Sequence, residues 1–460
     1  MNNETITAIS TPLGEGGIAV VRISGSDSIA LADKIFDSPS GKKPSSCASY
    51  TLRRGYIKSP QSGEIVDEVL LTVMRGPKTY TAEDVVEINC HGGTMPSKRV
   101  LEICLSEGAR LAEPGEFTKR AFLNGRMDLS QAEAVLDIIR SETDTSRRIA
   151  VGQLRGEVSS KIRILRSSII DILSSIELGI DFSDEDVEFA KAKDITKRIE
   201  DVSHAIDEMV KSADKGMILR EGASVVICGR PNVGKSSLMN ALLRDERVIV
   251  TPVAGTTRDI IEEAINIRGV KVHVSDTAGI IETQDRVEAE GIKRSKEKLE
   301  CADIVIFMLD GSLSLSDKDK EIYGALRDKR IVTVANKTDL KIELDIDEAK
   351  KSFSDEEILE ISALKKKGLE NVEDAIAEKL FNGEVKMPEG PIVTNMRHKA
   401  LLEDAYKAIA RAMKLTGKDY NGELLASDLN ESLHRLGLII GESVEDDILD
   451  RIFREFCIGK

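Results

Sequence analysis

One stretch constrains this chain more than any other: VVICGRPNVGKSS, positions 225–237. An apolar run ends in G-x-x-x-x-G-K-S, made by Gly229, Gly234, Lys235 and Ser236, and the helix-forming SLMNALL follows. A loop with glycine at these places lets successive backbone N–H groups wrap around phosphate oxygens. Lysine then reaches the β and γ oxygens, and the serine hydroxyl ligates Mg²⁺. The pattern works only between a strand and a helix, so it predicts an α/β domain of the P-loop kind. Asn232, Val233 and Ser237 complete the expected phosphate lining.

Three more motifs follow in the order such a domain needs. VHVSDTAG places Asp276 at a strand end as a carboxylate on the Mg²⁺ side, with Thr277, Ala278 and the Gly279 amide toward the γ-phosphate. TVANKTD supplies Asn336, Lys337, Thr338 and Asp339, and EISALKK supplies Ser362, Ala363 and Leu364 beside the base. A carboxylate at position 339 pairs with the N1–H and 2-amino group of guanine, donors that adenine lacks. A buried site built around such bonds discriminates by roughly 10⁴–10⁵. These motifs together predict a GTP site.

The hydrolytic apparatus is less complete. Ras-type GTPases follow D-x-x-G with a glutamine that orients water, whereas this chain has Ile280. Asn232, inside the phosphate loop, offers a side-chain oxygen. The segment VTPVAGTTRD (250–259) offers carbonyls from Thr251, Pro252, Val253, Ala254, Gly255 and Thr256, and Thr257 as a second Mg²⁺ ligand. Together they could cage a monovalent cation beside the phosphates. Glu288, in DRVEAEGI, is a candidate acid for the water. The residues alone equally allow Asn232 to make a turn and Glu288 to be a solvated helix position.

The rest of the chain has two other textures. Of eleven prolines, seven fall before residue 120, among short β-branched runs (GGIAVVRIS, VDEVLLTVM, DVVEINC) that read as strands of a mixed α/β domain. No proline lies between Pro114 and Pro231, and there Leu136, Ile139, Ile162, Leu165, Ile169, Leu173 and Ile176 recur at helical spacing. After the linker FNGEVKMPEGP the stretches HKALLEDAYKAIARAMKL, ELLASDLNESLHRLGLI and DDILDRIFREF again read as helices. The expected architecture is multidomain α/β plus all-α, with the P-loop domain inserted into a helical one. Expected bounds are 1–120, 121–221, 222–380 and 381–460.

Composition excludes several classes. No apolar run is long enough to span a membrane, and the start MNNETITAIS lacks the features of a signal peptide. Six scattered cysteines without a CxxC pair argue against a disulfide framework or zinc site and fit a reducing cytoplasm. A net charge of −15 argues against a wholly basic nucleic-acid surface. Arg147, Arg148, Arg155, Lys161, Arg163 and Arg166 offer a local basic face, which a solvated helix explains equally well. The terminal FCIGK leaves three readings: prenylation of Cys457, which the final Lys460 disfavours, a frayed tail, or a tail tucked into a site elsewhere.

GRPNVGKSSLMNALL, AGTTRD, DTAGI and the closing FCIGK, with TPLGEGGIAVVRISG, HGG and PGEFTKRAFLNGRMDLSQAEA, resemble the MnmE (TrmE) family of tRNA-modification GTPases over essentially the whole chain. That resemblance implies an N-terminal folate-binding-like α/β domain that dimerises the protein, a helical domain and an inserted Ras-like G domain. It implies K⁺ bound by Asn232, Thr251, Val253 and Thr256, Mg²⁺ held by Ser236 and Thr257, and Glu288 as the water-activating acid. It places a tetrahydrofolate, such as the 5,10-methylene form, at Arg22, Glu87, Arg126 and Lys460, with Cys457 beside the chemistry. Read alone, Arg22 and Arg126 would be surface ion-pair residues. The implied work is K⁺-stimulated GTP hydrolysis coupled, with an MnmG (GidA)-like FAD- and NADH-dependent partner in a heterotetramer or larger complex, to aminomethyl-type modification at C5 of a tRNA wobble uridine. A ribosome-assembly or RNA-binding switch GTPase without one-carbon chemistry is the alternative.

Overall fold

A computed structural model of the chain describes residues 4–181, 185–244, 264–276, 299–353, 357–381, 390–416 and 422–460, with side chains at 178–181, 185–193, 244 and 276 outside the description. The chain divides into two compact units, Met1–Leu136 with Leu436–Lys460, and Asp137–Arg435.

The first unit is built on a seven-stranded sheet: β1 (Ile6–Ile9), β2 (Ile18–Ser24), β3 (Phe36–Asp37), β4 (Thr51–Lys58), β5 (Ile65–Met74), β6 (Val85–His91) and β7 (Arg110–Leu111). The spatial order is β3-β4-β5-β6-β2-β1-β7. Every pairing is antiparallel except that of β1 with β7. The strand period of two sorts the residues by face. Ala19, Val21 and Ile23 of β2 and Val86, Ile88 and Cys90 of β6 enter one core, together with Ile29 and Leu31 of helix Ser28–Ile35 and Val100 and Ile103 of helix Thr94–Ser106. The intervening residues, Arg22 and Glu87 among them, point to the other face. A second core joins Ala121, Leu129 and Leu136 to Leu449, Phe453 and Phe456, so the last helix, Asp446–Phe453, is part of this unit.

The second unit combines helices with a six-stranded sheet: β8 (Ala223–Gly229), β9 (Ala264–Ile267), β10 (Val270–Asp276), β11 (Ile304–Asp310), β12 (Ile331–Asn336) and β13 (Ile358–Glu360), in the order β13-β12-β11-β8-β10-β9. All pairings are parallel except β9 with β10. Parallel sheets are covered on both faces, and their strands read as unbroken apolar runs. Every residue of β11 and β12 is buried. Ile304, Ile306 and Met308 face one core, whereas Val305, Phe307 and Leu309 face the other.

Helices Asp144–Leu154, Glu157–Asp181 and Glu185–Glu221 precede this sheet, and Met396–Lys414 and Gly422–Ile440 follow it. Helix Met396–Lys414 packs along Glu185–Glu221, with Lys399 Nζ 2.6 Å from Asp214 Oδ1. Buried Gln153 donates to Ile392 O and Thr394 Oγ1, both at 2.9 Å, where the chain returns to the helices. The fold therefore agrees with an α/β domain inserted between helices. Six of the seven residues read as the helical apolar stripe are buried. Ile139 is the exception at 46% exposed, next to the last residue of helix Leu129–Arg140. Among the described residues no helix is long and apolar enough to cross a membrane.

Phe307 anchors the core beneath β11, with ring centroids 5.5 Å from both Tyr323 and Phe353. Phe307→Ala is expected to destabilise this domain by about 3–5 kcal/mol, read as a lowered urea midpoint in the circular-dichroism transition of the full chain.

Candidate functional site: a guanine-nucleotide site and an Arg–Glu–Tyr cluster

In open α/β sheets ligands bind beyond the carboxyl ends of the strands, where the strand order reverses. β8 is such a place, flanked by β10 and β11, and the phosphate loop leaves its end. Lys235 Nζ donates to Gly229 O and Arg230 O, both at 3.0 Å, so the loop holds the lysine over its own carbonyls. Asn232 is exposed at φ 66°, a left-handed conformation that asparagine tolerates better than most residues. Ser236 and Ser237, in the first turn of helix Lys235–Arg244, are exposed. Gly234, at φ 102°, has no room for a side chain: a Cβ would lie 2.3 Å from Asn336 Nδ2.

That contact exposes the staple of the site. Asn336, 3% exposed at the end of β12, donates from Nδ2 to Val233 O at 2.8 Å and accepts at Oδ1 from Ala363 N at 3.0 Å. One amide thus joins the phosphate loop, the N-K-T-D loop and the S-A-L loop. Thr338 N donates to Ile361 O at 3.1 Å. Buried Ser362 donates to Asp339 Oδ1 at 2.6 Å, and this bond holds the exposed Asp339 carboxyl below its usual range. Asp339 therefore stays an anion, the form that accepts from guanine. Lys337, at φ 68°, reaches Asp310 Oδ2 at 2.6 Å. Burial alone would raise the Asp310 carboxyl, but donation from Lys337 and Ser312 outweighs it and holds the group low. Leu364 is 77% exposed beside these loops.

Thr251, Pro252, Val253, Ala254, Gly255, Thr256, Thr257, Thr277, Ala278, Gly279 and Glu288 lie outside the described residues. Asp276 is described in its backbone alone, as the last residue of β10, level with Ile227 of β8.

The other group of expected residues gathers in the first unit. Arg22 and Glu87 face each other in the β2–β6 register. Arg22 Nε and Nη2 both lie 2.8 Å from Glu87 Oε1. The Arg22 guanidinium carbon is 5.3 Å from the Tyr80 ring centroid and 5.6 Å from that of Phe117. Arg126 lies 4.8 Å from the Tyr80 centroid and donates to Tyr80 O at 3.1 Å. Two cations thus share one aromatic ring, a contact worth about 0.5–1 kcal/mol at exposed sites and more where water is excluded.

The last four residues lie against this cluster. Ile458 bridges Pro114 in antiparallel fashion, and Gly459 O accepts from Ser10 Oγ at 3.1 Å and Arg22 Nη1 at 3.4 Å. Phe117 N donates to Lys460 O at 3.2 Å. Gly459, at φ 95°, needs its missing side chain, because a Cβ would meet Ile9 O at 2.4 Å. Burial and the nearby Arg22 charge lower the Lys460 ammonium from its ordinary value. Cys457 is exposed, whereas burial pushes the thiols of Cys90 and Cys104 up to about 11 and about 12. Of the sequence-level readings of the tail, the tucked arrangement is the one found.

Tyr80, Ser10, Phe117 and Asp310 were not singled out by the motifs. Their roles come from long-range pairing that no local spacing signals. The basic helical face is partly neutralised: Arg147 and Arg148 lie 2.6 and 2.7 Å from Asp144, and Arg166 donates to Leu433 O at 2.8 Å.

A mostly parallel sheet with a phosphate loop at its reversal point, stapled to a loop that offers an ionised aspartate to the base, defines a P-loop GTPase domain. Residues 129–457 match the family described as the MnmE helical domain, and residues 5–126 match the one described as the N-terminus of the GTP-binding protein TrmE. Proteins named tRNA modification GTPase MnmE from Bacillus licheniformis and Geobacillus thermodenitrificans are 45% and 46% identical over 458 residues. They cover 99% of this chain, and 100% and 99% of their own lengths. One from Alkaliphilus oremlandii is 46% identical over 100% of this chain and 99% of its own. The chain belongs to the MnmE (TrmE) family.

Two outcomes follow from the geometry. Ser362→Ala removes the bond that depresses Asp339, so the loss of GDP affinity on acidification is expected to begin at higher pH than in the parent chain. Titration of GDP binding between about pH 4 and 6, the range above the ordinary carboxylate value, reads the shift. Gly459→Val should displace the tail and speed hydrogen exchange at the Phe117 amide while leaving β11 and β12 unchanged.

Proposed function

We propose that this protein is a GTPase acting in the modification of the tRNA wobble uridine, with a one-carbon unit taken from a tetrahydrofolate. The observation that carries the reading is the cluster in which Arg22, Glu87, Tyr80, Arg126 and Lys460 converge under the protein's own tail. The donor set fits a folate. Glu87 accepts from the amide and amino donors of a pterin, the Tyr80 ring offers a stacking face, and Arg22, Arg126 and Lys460 suit the glutamate carboxylates. The folate supplies the one-carbon unit when bound; these residues bind and orient it, and the tail limits water. Cys457, exposed on that tail, stands at the edge of the chemistry.

In the G domain Lys235, Ser236 and Ser237 hold the phosphates, and Asn336, Lys337, Asp339 and Ala363 hold the base. Mg²⁺ is assigned to Ser236 and Thr257, K⁺ to Asn232, Thr251, Val253 and Thr256, and water activation to Glu288. The exposed, left-handed Asn232 supports the K⁺ assignment, because its side chain is not spent inside the loop's core. The division of labour is 1–120, completed by Arg126 and by the terminal helix and tail that belong to the first unit, for folate and homodimerisation, the rest of 121–221 and 381–460 for the helical layer, and 222–380 for nucleotide. Hydrolysis drives opening and closing of paired G domains rather than the carbon chemistry. The relatives are named tRNA modification GTPases, which supports tRNA as the macromolecular substrate. An MnmG-like flavoprotein in a heterotetramer or larger complex is the proposed redox partner, and the cytoplasm the proposed site of action.

The test is nucleoside mass analysis of tRNA incubated with the protein, an MnmG-like flavoprotein, GTP, K⁺ and labelled methylenetetrahydrofolate. Label should appear at C5 of the wobble uridine. Glu87→Gln should lower its incorporation tenfold or more, about the worth of a charged hydrogen bond, with GTP hydrolysis unchanged. Unlabelled tRNA in the parent reaction would leave only the switch-GTPase alternative.

A further inference from the structure

The end of β11 and the segment that follows it each touch a nucleotide loop with a carboxylate. At the end of β11 Asp310, its side chain 5% exposed, accepts from Lys337 Nζ of the guanine loop at 2.6 Å. Further along, Asp319, 1% exposed, accepts from Arg230 Nε of the phosphate loop at 2.7 Å. Each acid is also anchored locally. Ser312 donates to Asp310 Oδ1 through its N and Oγ, at 3.0 and 2.6 Å. Ser316 does the same to Asp319 Oδ2, at 3.0 and 2.7 Å, closing the capping box of helix Asp317–Gly324.

Local anchoring would satisfy a loop and a helix start. It does not require that both acids be buried or that each spend its second oxygen or remaining lone pairs on a cation from a nucleotide loop. A buried carboxylate is costly unless paired, and removing its partner leaves that cost uncompensated. Each pair therefore resists displacement of the loop it grips. Arg230 also lends its carbonyl to Lys235 Nζ at 3.0 Å, so the grip on Arg230 extends to the phosphate lysine. Lys337 is held at a left-handed backbone position that costs energy for a non-glycine residue.

We propose that Asp310 and Asp319 are positioning residues for guanine-nucleotide binding: acting through Lys337 and Arg230, they hold the base loop and the phosphate loop at the separation a guanosine diphosphate spans. This rests on the assignment of the site to guanine nucleotides and adds the element that sets how long the nucleotide stays. Neither acid is itself a nucleotide contact; each acts through the cation it holds.

The experiment measures release of fluorescent GDP from the full chain, alongside the thermal midpoint of the nucleotide-free protein. Asp310→Asn and Lys337→Ala should each speed release, by roughly tenfold for the acid. The double variant should release no faster than Lys337→Ala, because the acid acts through the lysine. Asp319→Asn and Arg230→Gln should show the same non-additivity. Unchanged release in the two Asp→Asn variants overturns the proposal, whatever happens to the midpoint, and so do additive effects within a pair. Should an Asp→Asn variant not fold, Arg230→Gln releasing GDP at the parent rate overturns the phosphate-loop half. A parent chain that binds no GDP overturns the site assignment itself, and the proposal with it.

Discussion

The nucleotide domain depends on one side-chain amide. Asn336 sits almost wholly buried at the end of β12 and connects Val233 O to Ala363 N. Val233 lies 103 residues before Asn336 and Ala363 27 after it, so three loops share a single rigid reference. A donor and an acceptor at that depth are costly to leave unpaired, so each loop keeps the others in place. Gly234 completes the arrangement by having no side chain where the amide passes. The phosphate loop's glycine is thus explained twice, once by its backbone angle and once by its neighbour.

The first unit is organised by a different force. Arg22 and Glu87 stand opposite one another on neighbouring strands, on the face away from the main core of the sheet. Their pairing leaves a guanidinium flanked by the Tyr80 and Phe117 rings, and that cation draws in the carbonyl of Gly459. The tail is held by backbone bonds from Gly115 N to Cys457 O and from Phe117 N to Lys460 O, with Ser10 and Arg22 donating to Gly459 O. Burial and the like charge of Arg22 lower the Lys460 ammonium from its ordinary value.

Much of this was legible in the primary structure because the features are local. β11 and β12 announce themselves as continuous apolar runs, and helical periodicity marks the segments around 162–176. The loops carry motifs whose spacing is imposed by phosphate and guanine geometry. The Arg22–Glu87 cluster is reachable only through family resemblance, since an arginine on an alternating strand reads equally as surface. Tyr80, Asp310 and Asp319 carry no such local signal, because their partners lie far off in sequence. Ile139 shows the converse limit: helical spacing identified its face, and its place at the end of the helix left it in solvent.

Arg220, one residue before helix Glu185–Glu221 ends, donates to Thr394 O at 3.4 Å, so the points where the chain leaves the helical layer and rejoins it are in contact. Topologically the entire nucleotide domain is a single excursion whose two feet touch. Closing an excursion costs entropy that grows only with the logarithm of its length, and a folded insert with adjacent ends costs less still. The helical layer can therefore carry an enzyme-sized passenger at about the thermodynamic expense of a long surface loop. Any rearrangement of that passenger reaches its carrier through these two adjacent feet, through Ile149 and Leu219, which pack in the core of the sheet, and through the ion pair of Lys271 with Glu142.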